Sequence, residues 1–442
     1  MNILLGLITI VFGIIWIRMY YPAIHELEKI CLGILIGSAI FTLFLFLANI
    51  AGYPINLTTG TIILACNVII SGLFLLFNKK LSKNFIILKP NFGKFNQISK
   101  IFILIIFLLF VTSILLNVYW PVSGWDALTL YDFRGKFIAE TGSIGNLFNI
   151  HRYYLSYPLY TSLVHTWIYL LGLNNPSFFY SLVYISFVIT FFFNLARLTN
   201  RFYALIFTLM LSISSEIYQH SLLAYTNLTY IVFLVLGFLY LYYWRVSKDN
   251  KYLYLSALLL GLSGWVRSSD PFWVVPLIPV FYYLVKSNKL LLWLKYTIVI
   301  LLFKVPWSLY VYFVSRNFTI KSSNEINKIF TLNLDQYITR FVLVTEFFYT
   351  NVLKPNWLII LLFLAGLLLI IKTKKYDLIF FSWLIIFSLL IIFGGTYFYS
   401  LIYEKWQLVG DSVARMSMFL IPLVLFFQGI LLFSYLNPHQ EK

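Results

Sequence analysis

Apolar stretches of about twenty residues recur along the whole chain, with short polar segments between them. Each stretch has the length that a helix needs to cross the roughly 30 Å hydrocarbon core of a bilayer. The pattern therefore predicts an all-α fold, a polytopic transmembrane helical bundle with about 13 crossings. The predicted spans are 2–19, 30–50, 60–78, 101–119, 176–195, 202–215, 224–244, 252–266, 271–285, 296–315, 356–371, 377–395 and 412–435.

The amino-acid composition also indicates a membrane protein. Hydrophobic residues make up 61% of the 442 residues and charged residues only 11%, whereas soluble domains contain about 25% charged residues. A net charge of +17 could suit a nucleic-acid-binding protein, but the Lys and Arg residues stand in short clusters between apolar stretches, as in cytoplasmic loops. We therefore expect a multi-pass protein of the plasma membrane with no nucleic-acid partner. Cys31 and Cys66 lie inside apolar stretches and have no metal-site spacing.

A further apolar helix at 158–173 could cross the membrane or lie beside it, and the charges favour the second arrangement. If this helix does not cross, 20 of the 32 Lys and Arg residues lie on the cytoplasmic side and 11 lie outside. If it crosses, the split becomes 16 against 15, and the positive-inside bias disappears. We predict a non-crossing helix, an outer N-terminus and a cytoplasmic C-terminus. Ten of the fifteen acidic residues then lie outside.

Two polar segments are long enough to form large outer loops. The first, 120–157, is rich in aromatic and charged residues, and we expect it to carry juxtamembrane helices. The second, 316–355, contains an amphipathic stretch at 337–349 that should lie along the membrane interface. These loops are where we look for functional residues.

The first outer loop begins with the sequence Tyr119-Trp-Pro-Val-Ser-Gly-Trp-Asp126. Because this sequence directly follows a predicted span, Trp125 and Asp126 should lie near the membrane surface, at the depth of a lipid headgroup. Asp is a favoured N-cap residue, so one interpretation makes Asp126 the cap of a helix that begins near Ala127. The other interpretation makes it a functional acid.

Two arginines at predicted outer helix ends are candidates for binding phosphate. Arg267 and Arg415 each offer a guanidinium group, which can donate two hydrogen bonds to phosphate oxygens. Each also has an acidic residue at helical spacing, Asp270 for Arg267 and Asp411 for Arg415. Structural ion pairing is therefore the alternative for both.

Four other polar positions have a structural and a functional interpretation. Lys304 lies in an apolar stretch, where a charge is costly in lipid, so it should face protein or a cavity. His151 has no second His or Cys nearby, which favours hydrogen bonding over metal binding. Asp132 has the i,i+4 spacing of a surface ion pair with Lys136. Glu216 lies in a short polar turn between apolar helices.

Several short motifs follow one another in a particular order. They are Gly124-Trp-Asp-Ala, Lys136-Phe-Ile-Ala-Glu140-Thr-Gly142, His151, Tyr157-Pro-Leu-Tyr, Arg267-Ser-Ser-Asp270-Pro271, Val305-Pro306-Trp307 and Asp411 to Pro422 with Arg415. This ordered set resembles the GT-C superfamily of polyprenyl-phosphate-sugar glycosyltransferases over roughly residues 100–425. The resemblance implies a membrane catalytic module at 101–435, preceded by N-terminal transmembrane helices at 1–100 and followed by a cytoplasmic tail at 436–442.

The resemblance also implies an activity: inverting transfer of a sugar from a polyprenyl-phosphate donor to a glycan, lipid or protein acceptor on the non-cytoplasmic face. Asp126 would be the base, with metal ligation as its second possible role, and Asp132 could assist it. A departing phosphate needs fixed positive charge or a divalent metal ion, Mg²⁺ or Mn²⁺. The candidates for contacting the donor phosphate are Arg267, Arg415 and Lys304, and those for other substrate contacts are Trp125, His151, Tyr157, Asp270 and Glu216.

Two other classes of protein stay open at this point. A polysaccharide polymerase or ligase would share the long outer loop and the outer arginines, but such enzymes usually rely on arginine-rich large loops. A lipid or sugar transporter, such as a flippase, would carry charges along the helix centres, where Lys304 is nearly alone.

Overall fold

The computed structural model describes residues 2–77, 96–267, 271–315 and 329–437, and within these ranges it is helical without strands. The α-helices are α1 (Asn2–Tyr20), α2 (Glu26–Ile50), α3 (Leu57–Phe77), α4 (Gln97–Tyr119), α5 (Phe133–Thr141), α6 (Gly145–Ile150), α7 (Tyr160–Leu170), α8 (Phe178–Ala196), α9 (Arg201–Ser212), α10 (Ser215–His220), α11 (Thr226–Ser247), α12 (Asn250–Val266), α13 (Leu277–Lys286), α14 (Leu290–Ser315), α15 (Leu334–Phe348), α16 (Trp357–Thr373), α17 (Asp377–Ile402), α18 (Gly410–Met416) and α19 (Leu420–Leu436).

Seven helices in the described ranges are long and apolar enough to cross a membrane. They are α2, α4, α8, α11, α14, α17 and the stretch Trp406–Leu436 that contains α18 and α19. The pair Leu334–Leu353 and Trp357–Thr373, bent by 92°, could supply an eighth. The all-helical fold is therefore confirmed, together with several helices that are long and apolar enough to span a membrane. A helix occurs at each of the predicted positions, but the count of about 13 crossings and the loop arrangement stay predictions.

The chain forms two compact units. The first contains Met1–Ser269 and Ile298–Lys304, and the second contains Asp270–Thr297 and Val305–Lys442. Within the first unit α2 packs against α7, α8 and α12. The helices before residue 100 are therefore part of the same packed core as the segment that carries Asp126.

Close backbone contact joins α1 to α2. A Cβ atom added at Gly13 would lie only 2.0 Å from the carbonyl oxygen of Gly33, so any side chain would force the two helices apart. Such contacts between small residues are common where helices associate in membranes, because lipid supplies no hydrophobic force between them. We infer that these glycines set the spacing of this pair.

Buried ion pairs connect the start of α2 to α8 and α11. The fully buried carboxylate of Glu28 accepts hydrogen bonds from Arg197, Tyr240 and Asn194. One turn away, Lys29 donates to Glu26 at 2.8 Å. A charge is tolerated in such surroundings only when it is paired and hydrogen-bonded, so this network ties the N-terminal helices to the rest of the unit.

Helix α7 occupies most of the segment that we predict to lie beside the membrane. It contains 11 residues, and at 1.5 Å per residue it is about 16 Å long, well short of a bilayer core of roughly 30 Å. Residues 160–168 are all buried in protein. The length and burial of α7 favour the non-crossing prediction.

The second unit contains the remaining apolar helices. Helix α16 packs against α19, where the rings of Phe363 and Phe427 lie 5.5 Å apart. The amphipathic stretch predicted at 337–349 lies mainly in α15, which begins with a capping box formed by Asn333 and Gln336. Of the predicted second outer loop, residues 316–328 lie outside the described residues, as does most of the tail predicted at 436–442.

Candidate functional site

The segment around Asp126 leaves α4 through a tight turn and continues as a π-helix, Ala127–Asp132. The turn needs glycine at position 124, where φ is +93° and an added Cβ would lie 2.7 Å from the Tyr225 hydroxyl. Asp126 itself is half-buried, has helical φ and ψ, and makes no capping hydrogen bond. The cap interpretation of Asp126 is therefore wrong, because its backbone already follows the helix instead of preceding it.

Two aromatic residues, Trp125 and Tyr153, lie near Asp126. Trp125 is 77% exposed. Burial raises the pKa of Tyr153, and the negative charge of Asp126 raises it further, which indicates that this carboxylate acts on the Tyr153 hydroxyl. Tyr157 also raises the pKa of Tyr153. A hydrogen bond with Thr129 also acts on the Tyr153 hydroxyl, so Tyr153 lies against the π-helix that follows Asp126.

Arg267 reaches the same segment from the end of α12. Its side chain is 6% exposed, its Nη1 donates to Asn227 Oδ1 at 2.9 Å, and its guanidinium carbon lies 5.2 Å from the centroid of the Tyr157 ring. Asn227 is also buried, and its Nδ2 has no hydrogen-bond partner among the described residues. Asp270, the alternative partner predicted for Arg267, lies outside the described residues.

Tyr131 completes this group of side chains, which we call the Tyr157 cluster: Tyr131, Tyr153, Tyr157, Asn227 and Arg267. The Tyr131 hydroxyl lies 3.0 Å from Thr226 Oγ1, and its ring lies 6.2 Å from that of Tyr157. Burial raises the pKa of Tyr131 to about 12, although Arg267 acts in the opposite direction. The phenol is therefore neutral at physiological pH, and the cluster combines one cation with hydrogen-bonding groups next to Asp126.

Lys304 packs against the same helix as Arg267. Its stem contacts Gly264, three residues before Arg267, where an added Cβ would lie 3.1 Å from Lys304 Cγ. The Lys304 side chain is half-buried, and its Cβ and Cγ lie beside α12 at Gly264. This placement agrees with the expectation that an intramembrane lysine faces protein.

Asp132 forms the centre of a buried hydrogen-bond network. Its carboxylate is 2% exposed and accepts hydrogen bonds from Lys136 at 2.9 Å, from His165 Nδ1 at 3.2 Å and from the Tyr169 hydroxyl. The predicted pair with Lys136 is confirmed, but only its lysine is on the surface. Burial alone would raise the pKa of Asp132, but the hydrogen bonds from His165 and Tyr169 outweigh it and lower the pKa to about 2.

His165 links this network to α8. Because burial lowers the pKa of His165, the ring is neutral and donates from Nδ1 to Asp132. Its Nε2 then accepts the hydroxyl proton of Tyr180 at 2.9 Å. The members of this hydrogen-bond network come from α5, α7 and α8. By joining them, Asp132 fixes the path of the segment that follows Asp126.

Arg134 is a functional candidate that the sequence pattern did not single out. It is fully buried, and its guanidinium donates to the carbonyl oxygens of Tyr154 at 3.1 Å and Tyr157 at 2.9 Å, and to Ser162 Oγ at 2.9 Å. Burial lowers its pKa to about 10, so it stays charged at pH 7. Arg134 therefore holds the main chain beside the Tyr157 cluster in place.

Three other predicted site residues have mainly structural contacts. His151 is exposed and caps the following 3₁₀ turn by accepting from Tyr153 N at 3.1 Å. Glu216 is exposed on the short helix α10, where its carbonyl accepts from His220. Arg415 belongs to the second unit and pairs with Asp411 at 3.0 Å, as the alternative interpretation predicts.

A resident metal site does not emerge from the described part of the chain, where no three His, Cys, Asp or Glu side chains come together. A single carboxylate such as Asp126 can still contact Mg²⁺ that arrives with a substrate phosphate, since Mg²⁺ commonly takes one or two carboxylates together with phosphate oxygens.

Comparison of the chain with protein-family models, with curated proteins and with solved structures finds no significant match. The likeness to the GT-C superfamily therefore depends on the ordered short motifs.

Acid should destabilise the Asp132 network in two ranges. The unfolded chain binds the His165 proton more readily, so stability should fall as the pH drops below about 6.5. The stability contributed by Asp132 is complete above its unfolded pKa of about 4 and is lost as the pH falls toward its folded pKa of about 2. We expect the Tm in detergent to drop several degrees between pH 7 and 5, and less in His165→Gln.

The matched control is His151→Gln, which removes an exposed histidine from the same part of the chain. Its Tm should follow the wild-type pH dependence. Equal pH dependence in all three proteins would contradict a neutral, buried His165.

Proposed function

We propose that this protein is an inverting membrane glycosyltransferase of the GT-C type. It would transfer a sugar from a polyprenyl-phosphate donor to a glycan, lipid or protein acceptor, on the non-cytoplasmic face of the plasma membrane. The observation that carries the proposal is the buried Arg267, which lies over Tyr157 in a cluster that also reaches the Asp126 carboxylate. A carboxylate that acts as the base and a cation that binds the phosphate are the two groups that this reaction requires.

The proposed chemistry divides the work between these two groups. The Asp126 carboxylate accepts the proton of the acceptor hydroxyl as its oxygen forms a bond to the anomeric carbon. The bond from that carbon to the phosphate oxygen breaks, and polyprenyl phosphate leaves with the electron pair. Attack from the side opposite the leaving phosphate inverts the anomeric centre. No general acid is needed, because phosphate is a good leaving group.

Arg267 would stabilise the negative charge that develops on the leaving phosphate. The Arg267 Nη1 is held by its hydrogen bond to Asn227, and the guanidinium lies over the Tyr157 ring. The guanidinium therefore needs little reorganisation when negative charge appears on the phosphate. The Asn227 amide, whose Nδ2 is buried without a partner in the described residues, can donate a further hydrogen bond. Lys304, whose stem contacts Gly264 one turn before Arg267 on α12, adds positive charge to this part of the first unit.

Replacing Arg267 tests this proposal. With purified protein in lipid vesicles and a polyprenyl-phosphate sugar as the probe, Arg267→Lys should lower the release of polyprenyl phosphate by about 10²-fold, as removal of one donor to a developing oxyanion does. The ammonium keeps the charge but lacks the planar, two-pronged donor geometry. Release is measured by mass spectrometry of the extracted lipids.

Arg245→Lys is the matched control, because Arg245 lies at the opposite end of α11 from Asn227. It should release polyprenyl phosphate at the wild-type rate. Wild-type release by Arg267→Lys would remove Arg267 from the mechanism. No release by wild-type protein with any polyprenyl-phosphate sugar would overturn the proposed function.

A further inference from the structure

The π-helix Ala127–Asp132 has a carboxylate at each end. Asp126 directly precedes its first residue, and Asp132 is its last residue. π-helices are rare and occur mostly as single turns, frequently at functional sites. A single helical turn gains little stability from its own hydrogen bonds, so neighbouring groups must hold this one in place.

The start of the π-helix is packed in an apolar cluster with Tyr180 of α8. Ala127 is fully buried in this cluster, which also contains Ala224. Ala127 is the residue that directly follows Asp126 in the chain. Tyr180 therefore helps to fix the main chain at the proposed base.

The end of the π-helix is bound to the same tyrosine through His165 of α7. The Asp132 carboxylate lies 3.2 Å from His165 Nδ1, and His165 Nε2 lies 2.9 Å from the Tyr180 hydroxyl. No more than 2% of any of these three residues is exposed. Because water does not reach these groups, solvent cannot replace a hydrogen bond that is broken there.

Asp132, His165 and Tyr180, which we call the His165 link, thus connect the two ends of the π-helix through α7 and α8. The other partners of Asp132, Lys136 and Tyr169, hold only the far end. Removing the Tyr180 hydroxyl would therefore break the connection toward Asp126 while Asp132 keeps its own three hydrogen bonds.

We propose that the His165 link positions the Asp126 carboxylate for proton transfer, which makes His165 and Tyr180 positioning residues of the reaction. This inference rests on the proposed function. A general base must lie within hydrogen-bond distance of the proton that it accepts, and a displacement of 1 Å can lower a rate by about 10²-fold. The proposed phosphate contact, Arg267, is held instead by Asn227. Loss of the link should therefore lower turnover without weakening donor binding.

Tyr180→Phe tests the proposal, because it removes the hydroxyl and keeps the ring that packs in the cluster with Ala127. In the assay of polyprenyl phosphate release, its kcat should fall about 10-fold, as expected for a partial displacement of the base. The KM for the donor should stay at the wild-type value. Hydrogen exchange followed by mass spectrometry without substrate should be faster in peptides that cover 124–133, because the segment opens more easily.

Tyr184→Phe is the matched control on the same helix. Tyr184 lies one turn after Tyr180, is also fully buried, and its hydroxyl donates to the carbonyl oxygen of Ser212 at 2.7 Å. The control should lower the Tm by an amount similar to that of Tyr180→Phe. Its kcat and its hydrogen exchange at 124–133 should nevertheless match those of the wild-type protein.

A double-mutant cycle with His165→Gln tests whether both residues act through one connection. The double variant should lose no more turnover than the more damaging single variant, because residues of one network are not additive. Unchanged kcat or unchanged exchange in Tyr180→Phe, equal effects of Tyr184→Phe, or additive losses in the cycle would overturn this inference alone. Absence of release by the wild-type protein would instead overturn the proposed function and, with it, the catalytic purpose of the link.

Discussion

Asp126→Asn should lower the turnover of the purified protein by about 10²- to 10⁴-fold, the usual contribution of a general base, while its affinity for the polyprenyl-phosphate sugar stays unchanged. The amide keeps the size of the side chain but cannot accept the acceptor proton. Because the amide has nearly the same shape as the carboxylate and its oxygen still accepts hydrogen bonds, the substitution should leave the fold intact. Steady-state kinetics with separate titration of donor binding measures both quantities.

Glu140→Gln is the control for Asp126→Asn. Glu140 is an exposed acid in the segment that follows Asp126, so its neutralisation changes the local charge equally without removing the proposed base. It should keep full activity. If Asp126→Asn also keeps full activity, Asp126 is not the base; if it loses donor binding together with turnover, its role is to hold the donor or a metal ion.

Arg134→Met should lower the free energy of unfolding by about 2–4 kcal/mol, because each buried acceptor left without a donor costs about 1–3 kcal/mol. The acceptors are the carbonyls of Tyr154 and Tyr157 and the hydroxyl of Ser162. Without the hydrogen bonds from Arg134, which clamp the main chain at Tyr154 and Tyr157, the position of Tyr157 should become less fixed. The KM for the polyprenyl-phosphate donor should therefore rise. Thermal unfolding in detergent and donor kinetics are the measurements.

Lys136→Met provides the comparison on the same helix. It removes an ion pair with Asp132, but the lysine is 57% exposed, so the loss should stay below about 1 kcal/mol. The contrast is informative because Arg134 contacts no carboxylate in the described part of the chain, whereas Lys136 does. Similar destabilisation by both variants would contradict the main-chain clamp.

The helical class and the positions of the helices follow from hydropathy, because a bilayer core admits only helices or closed barrels. The half-buried position of Lys304 against α12 follows from the high free-energy cost of placing a charge in lipid. Local spacing also predicts the pair of Asp132 with Lys136, which the structure confirms. These features depend on composition or on neighbours within one turn.

Features that depend on distant parts of the chain escape such reasoning. The other partners of Asp132, His165 and Tyr169, come from a helix about thirty residues later. The role of Arg134 has no local signal either, because two of its partners are main-chain carbonyl groups, which carry no sequence signature. Similarly, nothing local predicts that Arg267 meets Asn227, 40 residues earlier.

The contacts of Arg134 have a consequence for how this surface can change. Arg134 binds carbonyl oxygens, which every amino acid supplies, so the path of residues 154–157 does not depend on which side chains stand there. Side chains of this segment can therefore be exchanged while the frame beneath them keeps its shape. If the proposed function holds, evolution or design can alter which acceptor this edge recognises without moving the neighbouring Arg267 and Asp126.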